Sequence, residues 1–297
     1  MNRPAEVAIS FTCEGEPMLG IVSPAAQPGP VGVGVGVVIV VGGPQYRAGS
    51  HRQFVELARS LAAAGFPVLR FDCRGMGDSG GALRDFEHAG ADIDAAIGAA
   101  IAAFQATHAQ VKRVVLWGLC DGASAALLYL HDKPDPRVAG LALLNPWVRS
   151  EASLAKTHVK HYYLQRLRER EFWRKLASGK VAFGALAGLL RNVRAAFGPG
   201  SQASSVGPSA PYQQRMAQAW AAFKGPTLLL LSEFDYTARE FVEFTSANGL
   251  WVKALHQRPP ARVDVLGADH TCSAAASRRT VEAATAEWLA RSVAGHS

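Results

Sequence analysis

Short continuous apolar runs alternate along the chain with longer stretches whose apolar residues recur at helical spacing. That alternation predicts an α/β fold on a mostly parallel sheet flanked by helices. Residues 6–12 and 18–23, joined by CEGEP, predict an antiparallel strand pair at the sheet edge. VGVVIVV at 35–41 is dominated by β-branched residues, as expected of a strand buried on both faces. A helix over 51–64 leads into a strand at FPVLRFD, 66–72. Ile93, Ile97, Ile101 and Phe104 fall on one face of a helix. KRVVLWG (112–118) predicts the next strand, DGASAALLYLHD a helix directly after it, and VAGLALLNP (138–146) another strand. Further on, PTLLLLSEFD (226–235) and RVDVLGADH (262–270) predict strands, with helices near 237–247 and over 274–292.

Between 148 and 213 this alternation breaks. Basic and aromatic residues interleave (KHYYLQRLREREFWRKL), and the stretch closes on GPGSQASSVGPSAP. The pattern predicts a helical lid inserted into a core formed by 1–147 and 214–297. The insertion also carries the charge. The whole chain is at +7, whereas residues 148–200 hold eleven basic residues against Glu151, Glu169 and Glu171. The remainder is therefore close to neutral, which removes the basis for a nucleic-acid-binding reading. A basic lid suits capture of an anionic partner, such as a phosphopantetheine carrier, coenzyme A or an acidic sugar polymer. Its Tyr162, Tyr163, Phe172 and Trp173 could instead pack the lid on the core.

The start, MNRPAEVAIS, lacks the basic region and apolar run of a signal peptide, and no apolar run approaches a membrane span. The expectation is a cytoplasmic protein without integral membrane association. The four cysteines, Cys13, Cys73, Cys120 and Cys272, contain no C-x-x-C pair, so neither a zinc site nor a disulfide framework is expected. GVGVG precedes its strand, whereas a dinucleotide-binding loop follows one, and CRGMGDSGG lacks the Lys-Ser/Thr of a phosphate loop. No cofactor is expected.

The chemistry centres on GLCDG, 118–122, which joins a buried strand directly to a helix. That is the setting of a nucleophile elbow, usually written G-x-S-x-G. The glycines permit the sharp turn and close strand–helix approach. The helix N-terminus then faces the central side chain, a placement that favours a thiolate. The plain alternative is a buried cysteine beside a glycine-rich turn. A nucleophile needs a base, and the base needs an orienting acid. In the order nucleophile, acid, histidine, Asp235 lies just past a strand end and His270 lies between the last strand and the last helix. Cys120, Asp235 and His270 form the predicted triad, with Glu233 and Asp269 as substitute acids. One oxyanion donor is expected from the N–H of Asp121. The second would come from the loop VVGGPQYRAGSH, at Gln45 or Gly43, because Pro44 has no N–H. Arg47, Tyr46 and His51 are candidates for the substrate-binding mouth, or belong to a solvated loop and helix cap.

FDCRGMGDSGG, GLCDGASAA, the Asp235 strand end and ADHTCS resemble the α/β-hydrolase superfamily over nearly the whole chain. More narrowly, VVGGPQYRAGSHRQF, LLNPWVRSEASL, HYYLQRL and FWRKLASGK look like the first of two bacterial hydrolases associated with the exosortase A system. The resemblance implies a hydrolase whose substrate class is unassigned, accompanying exopolysaccharide synthesis. Cys120 in place of serine and the Gly-Gly-Pro loop depart from the superfamily pattern and put simple ester hydrolysis in question. A thiol nucleophile points to hydrolysis of an ester or thioester through acyl–Cys120, or to acyl transfer onto an amine, alcohol or thiol. Two other classes remain: a binding protein on a hydrolase fold that has lost its chemistry, and a redox thiol at Cys120 resolved by Cys73 or Cys272.

Overall fold

The computed structural model describes residues 5–26, 34–42, 45–82, 90–149 and 210–293. Apart from its two ends, the expected insertion at 148–213 lies outside the described residues, and so does Gly43.

The described residues form an eight-stranded sheet: β1 (Val7–Cys13), β2 (Glu16–Ser23), β3 (Val35–Val40), β4 (Val68–Phe71), β5 (Arg113–Leu119), β6 (Val138–Leu144), β7 (Thr227–Ser232) and β8 (Ala261–Val265). Their spatial order is β1-β2-β4-β3-β5-β6-β7-β8. The hairpin of β1 and β2 joins β4 antiparallel, and every other neighbouring pair is parallel. The helices are α1 (Gln53–Ala63), α2 (Gly90–Thr107), α3 (Asp121–Asp132), α4 (Tyr212–Ala222), α5 (Tyr236–Ala247), α6 (Gly249–Gln257) and α7 (Ala275–Trp288). Sequence periodicity did not anticipate α6. It carries only two buried residues, Trp251 and Ala254, too few to mark a face.

The continuous apolar runs reflect a sheet covered on both sides. Along β3, Val38 and Val40 enter one core, while Val35, Val37 and Ile39 enter the other. On β5, Val114 and Leu116 face the first core, and Val115, Trp117 and Leu119 the second. The first core is closed partly by α2, whose Ile97, Ile101 and Phe104 are fully buried as the spacing requires. Gly36 makes room for that helix: a Cβ there would lie 2.6 Å from the Phe104 ring. In the second core Phe54 of α1 meets Trp117 edge-on, ring centroids 5.9 Å apart.

Parallel strands place all their C-terminal ends along one rim, the usual location of ligand sites in open α/β sheets. Here that rim carries the residues following β3, β4, β5, β6, β7 and β8 in one row.

Candidate active site

Cys120 occupies the single position between β5 and α3, with φ 59° and ψ −122°. Such a backbone costs a non-glycine residue about 1–3 kcal/mol and persists only when its surroundings enforce it. They do so here. The Cys120 N–H donates to Leu144 O at 2.9 Å, and its carbonyl accepts from the N–H groups of Ala123, Ser124 and Trp147 at 3.1–3.2 Å. Each flanking glycine is sterically required. A Cβ on Gly118 would lie 2.5 Å from the backbone of Gly122 and Ala123, and one on Gly122 would lie 2.4 Å from Val40 O. The half-buried Cys120 is the most accessible of the four cysteines.

Asp235 and His270 come together from the ends of β7 and β8. Asp235 caps α5, its carboxylate accepting the N–H groups of Thr237 at 3.0 Å and Ala238 at 3.3 Å. The same carboxylate reaches His270 Nδ1 at 2.9 Å while only 4% exposed. This hydrogen bond, opposed by burial and aided by the carboxylate's charge, raises the His270 pKa above its usual 6.5. A ring held through Nδ1 turns Nε2 outward, the arrangement of a general base. β5 and β7 are two strand spacings apart, about 10 Å.

The alternative acids are committed elsewhere. Glu233 accepts the Gly267 N–H at 2.8 Å and thereby holds the turn after β8. Asp269 accepts the Ser273 N–H at 2.9 Å.

Sequence reasoning did not single out Asn145. It is fully buried just past β6, with φ 49°. Its side chain accepts the Ser232 N–H at 2.8 Å and donates to Ser232 Oγ at 2.9 Å and His270 O at 3.4 Å. Asn145 thus ties the elbow's neighbouring strand to the end of β7 and to the histidine loop. An Asn-Pro pair at the end of an apolar run was the available signal.

On the oxyanion side, the Asp121 N–H lies at the first position of α3, and the Asp121 Oδ1 accepts the Gly122 N–H at 3.1 Å. Gly42 packs directly on this turn, since a Cβ there would lie 2.1 Å from Asp121 Oδ1 and 2.3 Å from Gly122 N. Gln45 is half-buried where the loop re-enters the described residues. Arg47 is bound to Asp72 through both its N–H and its guanidinium. Tyr46 is exposed beside Arg47, 6.0 Å from ring centroid to guanidinium carbon. His51 is exposed with φ 52° in the short turn before α1.

Burial disfavours the thiolate at Cys13, Cys73 and Cys272. It pushes Cys73 up to about 12 and Cys272 up to about 11. Among the described residues no cluster of His, Cys, Asp and Glu could hold a metal ion, and no helix is long and apolar enough to cross a membrane.

A family model described as serine aminopeptidase, S33, matches residues 35–186, just over half of the 297-residue chain. The chain belongs to this α/β-hydrolase family. Its match spans β3 through β6 and therefore includes the strand–turn–helix around Cys120. No curated protein matches the hydrolase. Among solved structures it is similar to an esterase from Pyrococcus furiosus, at 17% identity and TM-score 0.60 over 97% of this chain and 90% of that one. It is similar to a dienelactone hydrolase from Anabaena variabilis, at 14% identity and TM-score 0.58 over 98% and 100%. The α/β-hydrolase GrgF from Penicillium sp. sh18 is similar at 16% identity and TM-score 0.61 over 98% and 100%. At such identities the likeness is one of fold.

Proposed function

We propose that this α/β-hydrolase cleaves ester or thioester substrates through an acyl–Cys120 intermediate, with His270 as general base and acid and Asp235 as its orienting partner. The observation that carries the reading is the strained Cys120 backbone on the same rim as a buried Asp235 held 2.9 Å from the half-buried His270. Strained backbone of this kind clusters at functional sites.

The steps balance as follows. His270 Nε2 takes the Cys120 proton as the sulfur bonds to the acyl carbon. The imidazolium returns that proton to the departing alkoxide or thiolate as its bond to carbon breaks. Water then loses a proton to His270, adds to the thioester carbon, and expels Cys120, which regains the proton. The negative oxygen formed in each half-reaction would be met by the Asp121 N–H and a second donor at Gln45 or Gly43.

A thioester intermediate is also open to amines, alcohols and thiols, which makes acyl transfer the second reading. The basic residues of 148–200 favour an anionic substrate, such as a carrier-bound or coenzyme A thioester. The motif resemblance to exosortase A-associated hydrolases suggests a setting in exopolysaccharide metabolism. The high pKa values of Cys73 and Cys272 weigh against a redox pair with Cys120, and retention of all three triad members weighs against a purely binding role.

The test is intact-protein mass spectrometry after exposure to p-nitrophenyl acetate and acetyl-coenzyme A. A single acetyl adduct that disappears in Cys120→Ala is expected. No adduct on the wild type, or one that survives Cys120→Ala, defeats the proposal. Hydrolysis of the coenzyme A thioester should weaken as salt rises.

A further inference from the structure

We propose that Arg47 and Asp72 are positioning residues that fix the loop carrying the second oxyanion donor; this rests on the acyl–Cys120 reading above. The loop leaves β3 at Gly42 and passes Gln45 before reaching Arg47. Its near end packs on the turn at Cys120, and its far end is held by a carboxylate.

At the near end, Gly42 lies against the Asp121 carboxylate and the Gly122 N–H, closer than any residue with a Cβ could come. At the far end, Arg47 is held on every polar group of its backbone. Its N–H donates to Asp72 Oδ1 at 2.6 Å, and its carbonyl accepts from Arg70 Nη1 at 3.3 Å. Its guanidinium pairs with the other Asp72 oxygen and, at 2.7 Å, with Asp78. The Asp72 carboxylate follows β4 and is wholly buried. It accepts a further backbone N–H, from Asp78 at 3.0 Å. That turn closes on the carboxylate only because residue 77 is glycine, with φ 54°: a Cβ there would lie 2.3 Å from Asp72 Oδ2.

Asp72 thus joins two rim loops, and Arg47 is the cation that makes its burial tolerable. The Arg47 side chain is only 16% exposed and its terminal nitrogens are engaged by Asp72 and Asp78. Its geometry suits holding the loop better than receiving an anionic substrate. Gln45, two residues away, inherits its position from this anchor. An oxyanion donor works only if its N–H is already aimed at the place where charge develops. Arg47 therefore acts on the transition state through the loop, without touching the substrate.

The experiment compares wild type, Arg47→Met and Arg47→Lys in rapid-mixing acylation by p-nitrophenyl acetate. It also records the infrared carbonyl stretch of carbon-13-labelled acetyl–Cys120. In Arg47→Met the acylation rate should fall about 10²-fold, the scale of losing one oxyanion donor, with KM changed by less than about threefold. The carbonyl stretch should move to higher wavenumber as its hydrogen bond weakens, a shift that general destabilisation does not produce. Arg47→Lys, which keeps a cation beside Asp72, should lie between the two. If Arg47→Met does not fold, Arg47→Lys decides alone. An unshifted stretch with acylation within about twofold of wild type overturns the proposal, as does a loss confined to KM, which would make Arg47 a substrate contact. Failure of the wild type to acylate at Cys120 would instead overturn the functional reading on which this rests.

Discussion

Gly42→Ala is the sharpest perturbation the structure offers, because its consequence is set by backbone atoms. The new Cβ would lie 2.3 Å from Gly122 N, where real Cβ contacts essentially never fall below 3.0 Å. Relief therefore requires the loop after β3 and the elbow to separate by about 0.7 Å at least, since a backbone nitrogen cannot swing aside as a side chain can. A misplacement near 1 Å at a reacting centre costs about 10²-fold in rate. Overpacking of a tight contact costs about 1–3 kcal/mol in stability. Gly42→Ala should accordingly remain folded, with a lowered urea midpoint, and acylate Cys120 about 10- to 100-fold more slowly. Burst kinetics with p-nitrophenyl acetate measure the rate, and urea unfolding measures the stability. Gly249→Ala is the control: a Cβ there meets nothing within 4 Å, so acylation should stay at the wild-type rate and the urea midpoint should not fall. Acylation within about twofold of wild type in Gly42→Ala would refute the seating of this loop on the elbow.

Asp235→Asn can keep the Thr237 N–H of the α5 cap on its one oxygen, but presents the wrong partner to His270 Nδ1. Acylation should fall by about 10³- to 10⁴-fold with little loss of thermal stability, and comparable activity would remove Asp235 from the triad. With His270 as the proposed base, its raised pKa should set the acid limb of the acylation profile above 6.5, because a base must be neutral to take a proton. The same raised value contributes stability that is complete below the unfolded pKa and is lost as pH rises through the folded one. Urea midpoints of His270→Gln and wild type should therefore converge as pH rises through that range. Asp94, pushed up to about 7 by burial and then by the charge of Asp132, loses stability as pH rises between 3.8 and that value. Asp94→Asn should gain about 1–3 kcal/mol on wild type between pH 5 and pH 8, and a pH-independent difference would contradict this.

Much of the site was legible because its signals are local. Two glycines around Cys120 mark a turn that only glycines permit, and the continuous runs at β3 and β5 mark strands covered on both faces. Asp235 and His270 stood out by their places after strands. Arg47 was less legible. Read along the chain it is a cation on a polar loop near the site, whereas folding places it on the buried Asp72, 25 residues away. Asn145 was missed for the same reason, since its partners Ser232 and His270 are 87 and 125 residues distant.

Sequence alone therefore determined the alternation of strands and helices and the tight strand–turn–helix at Cys120, because backbone conformation and burial leave periodic and steric marks on neighbouring residues. Tertiary structure alone decided which carboxylates face the histidine, which hold turns, and which anchor the loop beside the elbow. A carboxylate's role depends on the N–H groups and cations that distant segments bring to it, and local sequence carries no record of those partners.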